Sequence, residues 1–321
     1  MSLKSALAGS NPPLLATTGP GSSSATVAPV LTARGITKEL GEGAGRIMAV
    51  KGVDISLRPG ELTLLMGPSG SGKTTLLSIL GCILSPTSGT VEIDGTMTNT
   101  LSPEQLARLR RTHIGYIFQS YNLFPTLTAL ENVRIALDVA GFSSAAGYTR
   151  AEQALRVVGL EPKFKSYPAN LSGGEKQRVA VARAIASAPS IVLADEPTAA
   201  LDSENGHGVM KLLSEIARTQ NRSILVVTHD PRTLAYADRV IRIEDGLIIG
   251  EDRGDHSALH AANSHAAPHS EPDAPPQAAN SDDGEPTHGG PPTLIDLSPS
   301  GRRSKRRRKG LQKNTGNKKL A

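Results

Sequence analysis

Hydrophobic and polar residues follow two different rhythms along this chain. Nearly continuous apolar runs rich in β-branched residues, at Glu61–Met66, Ile191–Ala194 and Ile224–Thr228, predict buried parallel strands. Val50–Leu57 and Thr90–Ile93 add two more strands, the latter entering a turn at Asp94-Gly95, and Ile114–Phe118 adds another that ends at Gln119. Gly72–Leu80 opens a helix directly behind a glycine loop. Pro103–Arg111 is helical, with Ser102 as N-cap and Pro103 at the first helical position. From Leu127 to Ser187 the pattern is mostly helical, broken at Gly141, Gly159, Pro162 and Pro168. Strands alternating with helices imply an α/β core, and the long helical block between two of its strands reads as an inserted subdomain.

Composition sets the limits of that core. The 38% of apolar residues are spread unevenly over the 321 positions. The first 30 residues are rich in Gly, Ser, Ala, Pro and Thr, and those from 251 onward in Ala, Pro, His, Asp and Ser. Neither end carries enough apolar surface to offset its ordering entropy. The expected organisation is a disordered extension over 1–31, one ordered domain over 32–250, a disordered linker over 251–300 and a basic disordered tail over 301–321. The net charge of +5 belongs to that tail, which holds ten Lys/Arg and no Asp/Glu. Without it 25 basic and 30 acidic residues remain, a net charge of −5, so the ordered domain is no general polyanion binder.

The lone Cys82, read as a small apolar residue on a helix, forms no internal disulfide and fits a reducing compartment. The stretch before Pro12-Pro13 has one Lys and no sustained apolar run, which argues against a signal peptide. No run approaches the ~18 apolar residues of a membrane span. If a membrane is involved, other subunits cross it.

Chemistry concentrates in four places. Gly67-Pro68-Ser69-Gly70-Ser71-Gly72-Lys73-Thr74, followed by Thr75, fits the phosphate-cradling pattern G-x4-G-K-[ST]. Its glycines let backbone N–H groups turn onto phosphate oxygens, and the helix behind presents its positive end to the same anion. Lys73 is placed to reach the β- and γ-phosphates, and the Thr74 hydroxyl to ligate Mg²⁺. Asp195-Glu196 closes the buried strand Ile191–Ala194. Asp195 is placed to hold Mg²⁺ through water, and Glu196 to polarise an attacking water. His229 follows Ile224–Thr228 at a strand end, where ligands of open α/β sheets bind, and is placed to hydrogen-bond the γ-phosphate. Leu171-Ser172-Gly173-Gly174-Glu175-Lys176-Gln177-Arg178 lies 98 positions beyond Lys73. A P-loop kinase or GTPase leaves this stretch and His229 unexplained.

Taken in order, the P-loop, Gln119, LSGGEKQR, LADEPT, Ala200-Leu201-Asp202 and His229 resemble the nucleotide-binding subunits of ATP-binding cassette (ABC) transporters. The resemblance covers about 32–250, and Arg178–Ala186 continues the signature helix. It implies a P-loop NTPase core with a parallel sheet, an antiparallel β subdomain and an inserted α-helical subdomain. It further implies ATP and Mg²⁺ as cofactors, with Lys73, Glu196 and His229 in catalysis and Thr74, Gln119 and Asp195 at the metal. The family's subunits form a head-to-tail dimer with two ATP at the interface, each on one P-loop and beneath the other subunit's Ser172, Gly173 and Gly174, with Asp202 linking the sites.

MGPSGSGKTTLL and IGYIFQSYNLFPTLTALENV are similar to the lipoprotein-releasing and macrolide-efflux ATPases. That branch implies a cytoplasmic ATPase at the inner face of the cell membrane, paired with itself or a homologous subunit and with a transmembrane permease. Tyr121, Leu123, Phe124, Pro125 and Leu127 form either subdomain core or a groove for a short helix of that permease. An ATPase that regulates a cell-envelope or division complex without transport is the alternative. Translation-type members carry two cassettes and repair types long coiled coils, and neither feature is present.

One departure from the family concerns the base. Its members stack adenine on an aromatic residue upstream of the P-loop, whereas here no aromatic precedes Tyr116 and Leu40 holds that place. Without π-stacking the preference for adenine weakens, so GTP should compete. The cluster Arg302–Lys309 reads either as a solubilising end or as a contact for anionic lipid. No interleaved aromatic supports nucleic acid as a partner. His256, His260, His265, His269 and His288 are spaced too loosely for a metal site.

Overall fold

The computed structural model describes residues 28–253. The expectations for 1–27, for the linker histidines and for the basic tail fall outside these residues. The chain runs β1 (Leu31–Leu40), β2 (Ile47–Leu57), β3 (Leu62–Met66), α1 (Lys73–Leu80), β4 (Ser88–Ile93) and β5 (Thr96–Met97). Next come α2 (Pro103–His113), β6 (Ile114–Ile117), α3 (Ala129–Val139), α4 (Ser144–Val157) and α5 (Gly173–Ile185). β7 (Ile191–Asp195), α6 (Ser203–Thr219), β8 (Ser223–Thr228), β9 (Arg239–Glu244) and β10 (Leu247–Arg253) complete it.

Among the described residues the strands form two sheets. One has six strands in the order β10-β9-β3-β8-β7-β6, parallel except for β10, which pairs antiparallel with β9. The other is antiparallel, with four strands in the order β2-β1-β4-β5.

The apolar runs explain the parallel sheet directly. Along β7 and β8, Val192, Ala194, Ile224 and Val226 enter a core shared with Val133, Leu155, Val181 and Leu213 of α3 to α6. The alternate residues Ile191, Leu193, Leu225 and Val227 enter a second core with Leu76 and Leu80 of α1 and with Val53 and Ile93 of the antiparallel sheet. Both faces are therefore covered, as a parallel sheet requires. The helical block is α3, α4 and α5, inserted between β6 and β7. Ser102 caps α2 with the reciprocal bond from Gln105, and Pro103 opens the helix.

Some boundaries differ from expectation. β1 starts at Leu31, and β10 continues through Glu251 to Arg253. Glu251 belongs to the sheet because the buried Arg239 grips its carboxylate with two bonds of 2.8 and 2.7 Å. Composition alone conceals that pairing. Cys82 is not on a helix: it lies past the end of α1 with φ of 54°, and burial pushes its thiol up to about 11. No helix among the described residues is long and apolar enough to cross a membrane.

The segment after Gln119 is partly buried. Leu123 packs on the core, while Phe124 stays about half exposed. A residue not singled out in the sequence, Asn132 of α3, holds this loop. Fully buried, it donates to the carbonyls of Phe124 (3.1 Å), Leu127 (2.9 Å) and Thr128 (3.0 Å) and accepts from the Phe124 N–H (2.7 Å). Asn132→Ala removes the partners of the Phe124 N–H and the Leu127 carbonyl and should cost about 1–3 kcal/mol, read as a lower urea midpoint at an unchanged m value.

Candidate active site

Four parallel strands end side by side, and each delivers a site residue just beyond its carboxyl end. Met66 of β3 leads into the glycine loop, Ile117 of β6 to Gln119, Asp195 of β7 to Glu196, and Thr228 of β8 to His229. This is where ligands of open α/β sheets bind.

The glycine loop is shaped by its surroundings as much as by its own freedom. A Cβ on Gly67 would fall 2.0 Å from the Ile243 carbonyl of β9, and one on Gly72 would fall 2.3 Å from the Ala49 carbonyl of β2. Gly72 also has φ of 94°, where side chains are strained. Gly70 (φ 80°), by contrast, has open space where its Cβ would lie. The β9–β10 turn braces the loop through the Gly246 N–H, which donates to the Ser71 carbonyl at 3.1 Å.

Inside the loop the Lys73 ammonium donates to the carbonyls of Gly67 (2.8 Å) and Pro68 (2.6 Å). Burial lowers its pKa, and the charges of Glu196 and Asp195 oppose that shift. Next to it the Thr74 hydroxyl donates to Asp195 Oδ1 at 3.2 Å. Burial raises the Asp195 pKa and the adjacent Glu196 adds to the rise, while the Thr74 hydrogen bond and Lys73 oppose it. Glu196 has φ of 46°, and its Oε1 lies 2.8 Å from Nδ1 of His229. The carboxylate side chain is only 14% exposed, whereas the imidazole is 68% exposed.

Lys73, Thr74, Glu196 and His229 share one open cleft of about 800 Å³, lined also by Gln119, Leu40 and Met48, with Asp195 just behind Thr74. Ser69, Gly70, Thr74 and Thr75 line it as well. Ile47, Met48, Lys51 and Asp245 are cleft residues that the sequence does not single out, because no motif marks them. Leu40, Ile47 and Met48 give the cleft an aliphatic wall, with no Phe, Tyr or Trp lining it among the described residues.

Ser172, Gly173, Gly174 and Asp202 are not brought to this cleft. Ser172 caps α5: its hydroxyl accepts from the Glu175 N–H at 3.2 Å, and the Glu175 carboxylate accepts from the Ser172 N–H at 2.8 Å. That backbone bond holds the Glu175 carboxyl below the usual range, and Lys163 at 3.1 Å adds to it. Asp202 caps α6 through the Asn205 N–H at 2.9 Å. Asn205 lies over the signature glycines, since a Cβ on Gly174 would fall 2.1 Å from its Oδ1. Arg183 of α5 donates to the carbonyls of Tyr121 (2.7 Å) and Asn122 (2.5 Å), two successive left-handed residues just after Gln119.

The arrangement can be tested for fit. Thr74 and Asp195 offer two hard oxygen donors in hydrogen-bond contact beside an ammonium, a set suited to Mg²⁺ next to phosphate. The open backbone at Gly70 and the start of α1 suit the phosphates themselves.

Known proteins carry the same frame. Residues 50–199 match the family described as ABC transporter. A macrolide export ATP-binding/permease protein, MacB, of Marinobacter nauticus is 44% identical over 226 residues, covering 70% of this chain and 35% of that protein. The chain thus spans about a third of the length of the MacB relatives it matches. An uncharacterised ABC transporter ATP-binding protein of Methanocaldococcus jannaschii, MJ0796, is 42% identical over 224 residues, covering 68% of this chain and 95% of that protein. The solved structure of the MJ0796 cassette, described as a dimeric post-hydrolysis state bound to ADP and Pi, superposes with a TM-score of 0.64 at 41% identity over 70% of this chain and 98% of that one. With such identity across nearly the whole of the archaeal cassette, the chain belongs to the ABC transporter family, as one of its ATP-hydrolysing nucleotide-binding domains.

Proposed function

We propose that this ATPase drives an exporter, working as a head-to-tail pair with a second copy or a homologous subunit against a separate transmembrane permease. The observation that carries the hydrolytic half is the meeting of Lys73, Thr74, Glu196 and His229 in one cleft at the carboxyl ends of adjacent parallel strands, with Asp195 bonded to Thr74 beside it.

The loop Gly67–Thr75 binds the phosphates through backbone N–H groups, and Lys73 neutralises charge on the β- and γ-phosphates. Thr74 and Asp195, with Gln119 on the cleft wall, would hold Mg²⁺, which would supply charge neutralisation at the phosphate oxygens. Glu196 orients and polarises the attacking water. An ionised carboxylate only accepts, so the proton it shares with His229 sits on Nδ1. The other ring nitrogen of His229, Nε2, then faces a γ-phosphate oxygen.

Ser172 and the N–H groups of Gly173 and Gly174 lie away from this cleft, at the start of a thirteen-residue helix. A helix start of this kind suits a phosphate bound on another subunit. The dimer described for the MJ0796 cassette supports that pairing. Relatives named ATP-binding/permease, of which this chain matches about a third, support coupling to a permease and a place at the inner membrane face. Phe118 and Phe124, both partly exposed near Gln119, suit the permease contact.

Four outcomes are expected. Lys73→Ala abolishes phosphate release from ATP. Glu196→Gln, which binds ATP without turning it over, elutes as a dimer in Mg-ATP on gel filtration, and a purely monomeric profile would count against the pairing. The aliphatic wall leaves GTP hydrolysis within about a hundredfold of ATP in kcat/KM, and Leu40→Tyr should tighten ATP binding about threefold to tenfold by restoring stacking. An unchanged Kd in that variant would place the base elsewhere.

A further inference from the structure

His229 is held at both ends of its loop. Ahead of it runs β8, and just behind it Asp230 is gripped by Arg232. The Arg232 Nε lies 3.0 Å from both oxygens of the Asp230 carboxylate, and Nη2 lies 2.8 Å from Oδ2. The Arg232 N–H adds a fourth bond to Oδ1 at 2.9 Å. The remaining arm of the guanidinium, Nη1, leaves this segment altogether and donates to the hydroxyl of Ser203.

Ser203 is the first residue of α6 and follows the capping Asp202. One turn further along α6, His207 Nδ1 meets the Tyr236 hydroxyl at 2.9 Å, a second tie between the same two segments. The gap between them, lined by Thr198, Asp202, Ser203, Asp230, Arg232 and Tyr236, has a volume of about 10 Å³, room for no more than about one water.

We infer that Arg232 is a positioning residue, a strut that fixes His229 and Glu196 relative to the Asp202 end of α6. The planar fork makes this possible, because it serves a carboxylate and a hydroxyl at once. A half-exposed ion pair of this kind adds little to stability, so its effect should appear in rate and local order. The inference rests on the hydrolytic reading of the cleft and deepens it. Displacement of the Asp202 turn by an apposed subunit reaches the His229–Glu196 pair through Arg232.

The test combines hydrogen exchange with kinetics on the full chain, using Arg232→Ala, Ser203→Ala, the double variant and Arg232→Lys. Ser203→Ala should raise amide exchange across 229–236, far along the chain from the substitution, as much as Arg232→Ala does. Each should lower kcat about tenfold with KM for ATP and Tm near wild type, and the double variant should be no slower than either single one. Arg232→Lys, a single-point donor, should not restore the rate. The strut is overturned if Ser203→Ala leaves exchange over 229–236 unchanged, if the two kcat losses multiply, or if Lys restores full turnover. A wild-type protein without ATP turnover would instead count against the reading of the cleft, and the exchange result would still decide the strut.

Discussion

A sheet covered on both faces leaves polar side chains one place to stand, the ends of its strands. Ile191–Ala194 of β7 and Ile224–Val227 of β8 each enter one or other apolar core, so ionisable side chains first appear at Asp195 and at His229. The same geometry brings the glycine loop and Gln119 alongside. The cleft follows from how the sheet is buried, and the chemistry follows from which residues occupy the ends.

Within the cleft the charges restrain one another. Lys73 sits in a loop whose carbonyls accept its protons, and burial works against its charge. Two carboxylates nearby work in the opposite direction, and Asp195 in turn is pushed toward neutrality by burial and by Glu196. Glu196 takes a left-handed backbone and leans on His229. Backbone strain of that kind costs about 1–3 kcal/mol and persists only where the surroundings enforce it. Here the bond from the Glu196 N–H to the Val227 carbonyl, together with His229, does so.

Much of this was legible in the sequence. The β-branched runs marked β3, β7 and β8, and fixed spacing marked the loop, the carboxylate pair and LSGG. β1, β9, β10 and α6 were not identified. The register of β1 with β2 shifts at several points, which blurs its alternation. The last residues of β10 depend on Arg239, whose partner Glu251 lies in a stretch that composition assigns to the linker. Asn132, Asn205, Arg183 and Arg232 were invisible for a common reason. Each works on backbone or side chains distant along the chain or across a turn, and no local pattern announces such a bond. Ser172 poses the reverse case: its motif was plain, while its bonds in one subunit are those of an ordinary helix cap.

The packing around Gly67 and Gly72 bears on how the family's sequences are to be interpreted. Carbonyls of β9 and β2 stand where a methyl group would have to go, whatever is or is not bound in the loop. A descendant that had lost hydrolysis altogether would still be forced to keep both glycines in order to fold. Their persistence in a relative therefore reports an intact scaffold, and only the residues at the strand ends report whether that relative still turns over nucleotide.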